Sequence, residues 1–274
     1  MDCDTKERFI VSKKIWFIRH AESTSNVGGR TLNHEVITLT PHGQEQAENI
    51  SREFNVAPNI IIVSRFKRTQ QTAFPLFEKY KENSNFDIWD SVNEFTYLAP
   101  ATCINTTAAE RKIRRDEYWE QCDPNYVDGY EAESFNMLLK RARETIDRLK
   151  EIERDFIVVF THALFMQAVN ALLTNDEEDS KSLMARFRTL PRFNNCDILK
   201  WHENNYDFTK NEINLEKNLP TYLQHDIKKL LKGIDKHSSL LDCYFSELES
   251  SINCAEVDQE ITGKQAAYLR KTYL

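Results

Sequence analysis

No stretch of this chain is apolar for the ~20 residues that a bilayer-spanning helix needs, and none has the build of a cleaved signal peptide. Positive charge is not in excess either. Against 43 acidic residues stand 36 basic ones, for a net charge of −7, so the basic face of a nucleic-acid binder is not expected. Six cysteines are present, Cys3, Cys103, Cys122, Cys196, Cys243 and Cys254, but no C-x-x-C pair. There is no H-E-x-x-H and no Cys/His pairing at zinc-ligand spacing. These absences speak against membrane insertion, nucleic-acid binding and a resident metal or other cofactor. They place the chain by default in a reducing, cytoplasmic compartment. An acidic chain can still hold an anion, because a local cluster of Arg and His suffices.

What is present is enough for one α/β domain and an appendage: 274 residues, 41% hydrophobic and 29% charged. Short apolar runs at Ile15–Ile18, Ile60–Val63, Phe86–Trp89, Phe156–Phe160 and Asp197–Trp201 read as strands, the most apolar of them buried on both faces. Helical signals lie between them. Thr40-Pro41 is an N-cap followed by Pro at N1, and Ser64 is expected to cap the helix that carries Arg68. A polar helix is expected around Ala109–Trp119. A longer one runs from Ser134 to Glu153, with Phe135, Leu138, Ala142, Ile146 and Leu149 on one face. Alternating strands and helices imply a mostly parallel sheet with helices on both faces. The site of such a sheet lies beyond the carboxyl ends of its strands, where Arg19, His20, Ser64, Glu94 and His162 all fall.

Four segments carry a more specific signal. They are Arg19-His20-Ala21-Glu22, Leu39-Thr40-Pro41-His42-Gly43-Gln44-Glu45-Gln46-Ala47, Ser64 through Gln71-Thr72-Ala73, and Val158-Val159-Phe160-Thr161-His162-Ala163. In that order they resemble the R-H-G/A-E, L-T-x-x-G-x-x-Q-A, S-x-L-x-R-A-x-Q-T-A and strand-S/T-H-G motifs of the histidine phosphatases, the superfamily that includes the cofactor-dependent phosphoglycerate mutases. The likeness covers roughly residues 13 to 202.

The resemblance implies a three-layer α/β sandwich and a phosphohistidine intermediate on His20. Arg19, Arg68, Asn26 and His162 would bind the substrate phosphate, with His162 as a charged donor, and Glu94 would be the general acid and base. The residue types suit the chemistry. A phosphate dianion needs planar guanidinium forks, and the nucleophilic imidazole needs its far nitrogen held by an acceptor. Glu82, Asp87, Asp90 and Glu110 are acids that could be mistaken for Glu94, and Glu22 reads as structural. His34, His42, His202, His225 and His237 read as ordinary surface or core residues.

The sequence departs from the family pattern at two places, and the second sets the expected branch. Ala163 stands where glycine usually follows the second histidine. The W-E-G run that follows the acid in the mutases is missing after Glu94, while Asp128 through Phe135 resembles the G-E-S-F stretch of the phosphatase-like branch. A metal-independent phosphomonoesterase acting on a phosphorylated small molecule or phosphoprotein is therefore favoured over a mutase or sugar bisphosphatase. The segment from about 96 to 130 would cap the pocket, and one of Arg111, Lys112, Arg114, Arg115 or Lys140 could hold a second anion.

The catalytic domain is assigned to 1–204 and a helical extension to 205–274. There Leu223, Ile227, Leu230, Ile234, Leu241, Tyr244 and Leu248 step by fours and threes, with His237 in the gap. Gly233 and Ser238-Ser239 leave a helical hairpin open as an alternative to one helix. The stripe at 221–252 either packs on its own chain or forms a seam for a second copy or a partner protein. An interaction protein working through these helices is the competing function.

Overall fold

A computed structural model describes residues 13–31, 33–202, 205–207, 219–235, 240–258, 260–261 and 263–274. Its centre is a six-stranded sheet in the order β3-β2-β4-β1-β5-β6. The strands are β1 (Lys14–Arg19), β2 (Ile60–Val63), β3 (Asn85–Ile88), β4 (Phe156–Thr161), β5 (Ile198–His202) and β6 (Asn205–Asp207). The first four run parallel to their neighbours, whereas β5 pairs antiparallel with β1 and β6 antiparallel with β5. Every strand expected from the apolar runs is present. β6 was not anticipated and carries the sheet past the boundary expected at 204.

The two-residue period of the strands sorts their side chains into two cores. Ile18, Ile61, Val63, Val158 and Phe160 face one way, into a cluster with Ala47, Ile50, Ala73 and Leu76 from α1 (Pro41–Glu53) and α2 (Lys67–Tyr80). Ile15, Phe17, Ile62, Ile157 and Val159 face the other way. They meet α5 (Phe135–Glu151), α6 (Ala163–Thr174) and α7 (Ser180–Phe187). The cap contains α3 (Pro100–Cys103) and α4 (Lys112–Gln121), and its Tyr118 and Trp119 are buried in that second core. The cap is thus anchored by aromatic packing: Trp119 stacks on Phe187 at 5.6 Å.

Local capping chemistry explains the starts of α1 and α5 but not that of α2. The Thr40 hydroxyl accepts from the Gly43 N–H, and Ser134 accepts from the Met137 N–H. Ser64 does not cap α2; Phe66 occupies the N-cap position, with no side-chain cap bond. The chain makes a further turn after β2, which leaves the buried Ser64 hydroxyl free to face His162.

Contacts divide the chain into two compact units, Met1–Lys210 and Asn211–Leu274. In the second unit α8 (Thr221–Asp235), α9 (Leu241–Val257) and α10 (Gly263–Tyr273) enclose a core of their own. Leu223, Ile227, Leu230 and Leu248 of the expected stripe are buried in it, while Ile234 is exposed and His237 lies outside the described residues. Gly233 does not end its helix. It allows close packing instead, since a Cβ there would lie 2.7 Å from the Tyr244 ring. Among the described residues no helix is long and apolar enough to cross a membrane.

The tightest joint of the first unit lies between α1 and the turn after β1. Thr40 N–H donates to the Glu22 carbonyl at 3.0 Å, and its hydroxyl donates to Glu22 Oε1 at 2.6 Å. Gly43 sits so close that a Cβ would fall 2.0 Å from the Glu22 carbonyl oxygen. Backbone cannot rotate away as a side chain can. Gly43→Ala is therefore expected to cost about 1–3 kcal/mol of stability, read as a lower denaturant midpoint, and to lower activity by displacing the turn that follows His20.

Candidate active site

Register brings the site together. Arg19 pairs with Thr161 across β1 and β4, so the next residues, His20 and His162, emerge side by side with ring centroids 5.2 Å apart. Ser64 follows β2 on the other side of β4, and α2 brings Arg68 back over both histidines. The glutamines and threonine of the sequence motifs hold the backbone here. Thr72 Oγ1 accepts from the Ala21 N–H, Gln46 Oε1 from the Glu22 N–H and Gln71 Oε1 from the Leu39 N–H, all within 3.0 Å.

Arg68 is the hub. Its Nε donates to His20 Nε2 at 3.1 Å, its Nη2 to His162 Nδ1 at 3.1 Å and its Nη1 to the His34 carbonyl at 2.7 Å. These bonds determine both tautomers. His20 carries its proton on Nδ1, which donates to the Ala21 carbonyl at 2.7 Å, and Nε2 keeps its lone pair. His162 carries its proton on Nε2, directed at Ser64 Oγ at 2.8 Å. Burial holds both imidazoles well below their ordinary pKa, and the positive charge of Arg68 and Arg19 adds to the effect. In this arrangement His162 Nδ1 accepts from Arg68, whereas the sequence reading gives His162 a charged donor's role toward a bound phosphate.

Arg19 Nη1 donates to the Phe193 carbonyl at 2.7 Å, while its Nε is buried without a partner. Burial lowers the pKa of Arg19 and brings that of Arg68 to about 10, so both remain charged. Glu94 lies at the N-terminus of α6, where its Oε1 accepts from the Phe95 N–H at 2.9 Å and the Phe165 N–H at 3.3 Å. Burial raises its pKa; these two N–H groups and both arginines oppose the rise without cancelling it. Burial favours the uncharged forms of Glu94, His20 and His162, so the two guanidinium groups are the charges that complement a phosphate dianion.

The other expected residues divide clearly. Asn26 is exposed; its Oδ1 accepts from Ser23 N–H and Oγ, both at 2.9 Å, which leaves its NH₂ group as the free donor. The competing acids are engaged elsewhere: Asp87 with Trp89, Asp90 with Arg65 and Glu110 with Arg30, while Glu82 is exposed. Glu22 is structural, held by Thr40. In the cap, Arg114 pairs with Asp128 and Lys112 with Asp116; outside it, Lys140 pairs with Glu144. Arg115 lines a cavity of about 330 Å³ beside Arg19, and Arg111 lines one of about 160 Å³ beside Glu94.

Several participants escaped sequence reasoning. Asn195, in the loop before β5, donates to the His20 carbonyl at 2.8 Å. Arg141 grips Glu133 with two nitrogens and the Ser91 and Asn93 carbonyls with a third, which fixes the chain just before Glu94. That contact gives a physical role to the Glu133-Ser134 motif, whose signal was visible although its partner was not. The His34 carbonyl on Arg68 had no sequence signal at all.

Several known phosphatases are similar to this chain. Over 61 residues the chain is 34% identical to the adenosylcobalamin/alpha-ribazole phosphatase of Escherichia coli, a stretch that spans 22% of this chain and 30% of that enzyme. The fold matches the alpha-ribazole phosphatase of Shigella flexneri with a TM-score of 0.55 at 22% identity, covering 68% of this chain and 89% of that one. It matches the phosphoserine phosphatase of Entamoeba histolytica in complex with 3-phosphoglyceric acid with a TM-score of 0.56 at 20% identity, covering 72% and 98%. A mycobacterial glucosyl-3-phosphoglycerate phosphatase gives 0.55 at 19% identity, over 69% and 89%. The family model for branch 1 of the histidine phosphatases matches residues 15–213, nearly the whole first unit, and the chain belongs to that superfamily.

Proposed function

We propose that the protein is a metal-independent phosphomonoester hydrolase that works through a phosphohistidine on His20. The observation that carries this reading is the state of the His20 ring: its proton is fixed on Nδ1 by the Ala21 carbonyl, and its Nε2 lone pair lies among the charges that would hold a phosphate. The relatives described above, all phosphatases, support hydrolysis over phosphoryl transfer between positions of one substrate.

The substrate phosphate takes up donors from Arg19, Arg68, Asn26 and His162. Arg68 Nε then leaves His20 Nε2 for a phosphate oxygen and uncovers the nucleophile. The phosphate charge favours protonation of His162, which turns its Nδ1 from acceptor to donor. His20 Nε2 attacks phosphorus in line; the N–P bond forms, the ester P–O bond breaks, and the Glu94 proton passes to the leaving oxygen. Glu94, now a carboxylate, takes a proton from water. The water oxygen bonds to phosphorus, the N–P bond breaks, and phosphate leaves. Positioning and charge stabilisation by arginine carry the transfer.

His20→Ala is expected to abolish turnover, and Arg68→Ala to lower it by about 10²–10³-fold. Label from a ³²P-monoester should appear on His20 after alkaline quench, which preserves phosphohistidine. Activity should persist with chelator and fall with vanadate. Substantial turnover by folded His20→Ala would overturn the mechanism.

The pH profile of kcat/KM follows from the two shifts. His20 is protonated only below its depressed pKa, so the acid limb lies well under the ordinary histidine value. Glu94 must hold its proton, so the alkaline limb lies above the ordinary carboxylate value. After correction for substrate ionisation, Glu94→Gln should erase the alkaline limb. It should cost about 10²–10⁴-fold for an alkyl phosphate but about tenfold or less for an aryl phosphate, whose leaving oxygen needs little protonation. Equal losses for both substrates would assign the acid elsewhere.

A further inference from the structure

The cavity of about 330 Å³ beside the reaction centre has an unusual wall. It is bordered by Arg19 and by three more guanidinium groups: Arg115 from α4, and Arg188 and Arg192 from the segment between α7 and β5. Two distant parts of the chain therefore bring cations to one hollow. A net charge of −7 for the whole chain gives no reason for such a cluster.

Local acids do not neutralise it. Asp116 lies 3.0 Å from Arg188 and 3.8 Å from Arg115, but it also binds Lys112 at 2.5 Å. One carboxylate thus faces three cations. Arg192 has no ion-pair or hydrogen-bond partner among the described residues. Its loop is nevertheless held in place. The buried Gln167 side chain donates from Nε2 to the Leu190 and Pro191 carbonyls, both at 3.4 Å. Arg19 ties the other end through the Phe193 carbonyl and so belongs to both the reaction centre and this wall.

The remaining wall is aromatic and apolar. Tyr97 and Leu164 border this cavity and also the smaller one beside Glu94, so the two hollows adjoin. Trp119 and Phe187, both buried, complete the aromatic part. A volume at the low end of the range for small-molecule pockets suits a metabolite-sized group better than a peptide segment.

We propose that this cavity is a second anion subsite, which binds a carboxylate or second phosphate carried on the leaving portion of a small phosphomonoester. The inference rests on the phosphohistidine hydrolase reading and names the class of its substrate: a compact, partly apolar alcohol that bears an anion in addition to the scissile phosphate. Arg192 and Arg188 are its principal holders, and Arg115 closes it from the cap.

A matched set of probes tests this. Benzyl phosphate has no second anion, para-carboxybenzyl phosphate adds a carboxylate, and para-(phosphonomethyl)benzyl phosphate adds a phosphonate. The full chain should turn over one of the charged probes with a higher kcat/KM than benzyl phosphate, and the arm that gains identifies the anion. In the Arg188→Ala/Arg192→Ala protein the ratio of charged to uncharged probe should fall about 10- to 100-fold, mainly through KM. Arg192→Lys should restore part of it, and added salt should erode it.

Calorimetric binding of the same probes to His20→Ala protein gives a readout that does not depend on turnover, with the same order of affinities expected. No preference for either charged probe, or a ratio unchanged in the double variant, would overturn the subsite. Failure of the full chain to hydrolyse any probe would overturn the hydrolase reading instead, and the calorimetric order would then judge the subsite alone.

Discussion

A guanidinium with almost no access to water sits at the centre of this structure. Arg68 spends its donors on two imidazole nitrogens and one backbone carbonyl, with no carboxylate in direct contact. Burying a charge is costly unless every donor is met, and here the acceptors are two neutral histidines. That requirement decides their protonation. An imidazolium at either position would set two positive charges side by side in a water-poor site. His20 and His162 therefore remain neutral, with their protons turned outward to the Ala21 carbonyl and to Ser64.

The scaffold serves this arrangement. The β1–β4 register places the two histidines side by side, and α2 supplies the arginine that bridges them. The backbone that follows His20 is held by Thr72, Gln46 and Thr40, each from a different turn of α1 or α2 or from the cap before α1. Gly43 is needed because α1 approaches that backbone too closely for any side chain. Motif letters that look like separate signatures in the sequence are thus parts of one clamp around a single turn.

Glu94 illustrates how opposing effects balance. Two arginines and two backbone N–H groups favour its carboxylate, yet burial outweighs them and raises its pKa. The result is a group that can hold a proton and also give it up, placed in the wall of the smaller cavity. Arg141 keeps it there by binding the carbonyls of Ser91 and Asn93, so its role is one of positioning.

Sequence alone determined five of the six strands, because apolar runs in a two-sided sheet are buried whatever their partners. It also singled out Arg19, His20, Arg68 and His162 as one cluster, because those residue types follow strand ends within recognisable motifs. It could not determine which ring nitrogen holds a proton, since that depends on Arg68 and on carbonyls far along the chain. For the same reason it could not show that His162 Nδ1 accepts from Arg68, and it gave Ser64 to a helix cap rather than to His162. The stripe in the C-terminal helices was legible as periodicity, but periodicity does not say what covers it; α9 and α10 of the same unit do. No motif or spacing in the sequence singles out Arg188 and Arg192. Only the fold sets them beside Arg19 and Arg115, because a cluster built from residues some 70 positions apart exists only once the chain is packed.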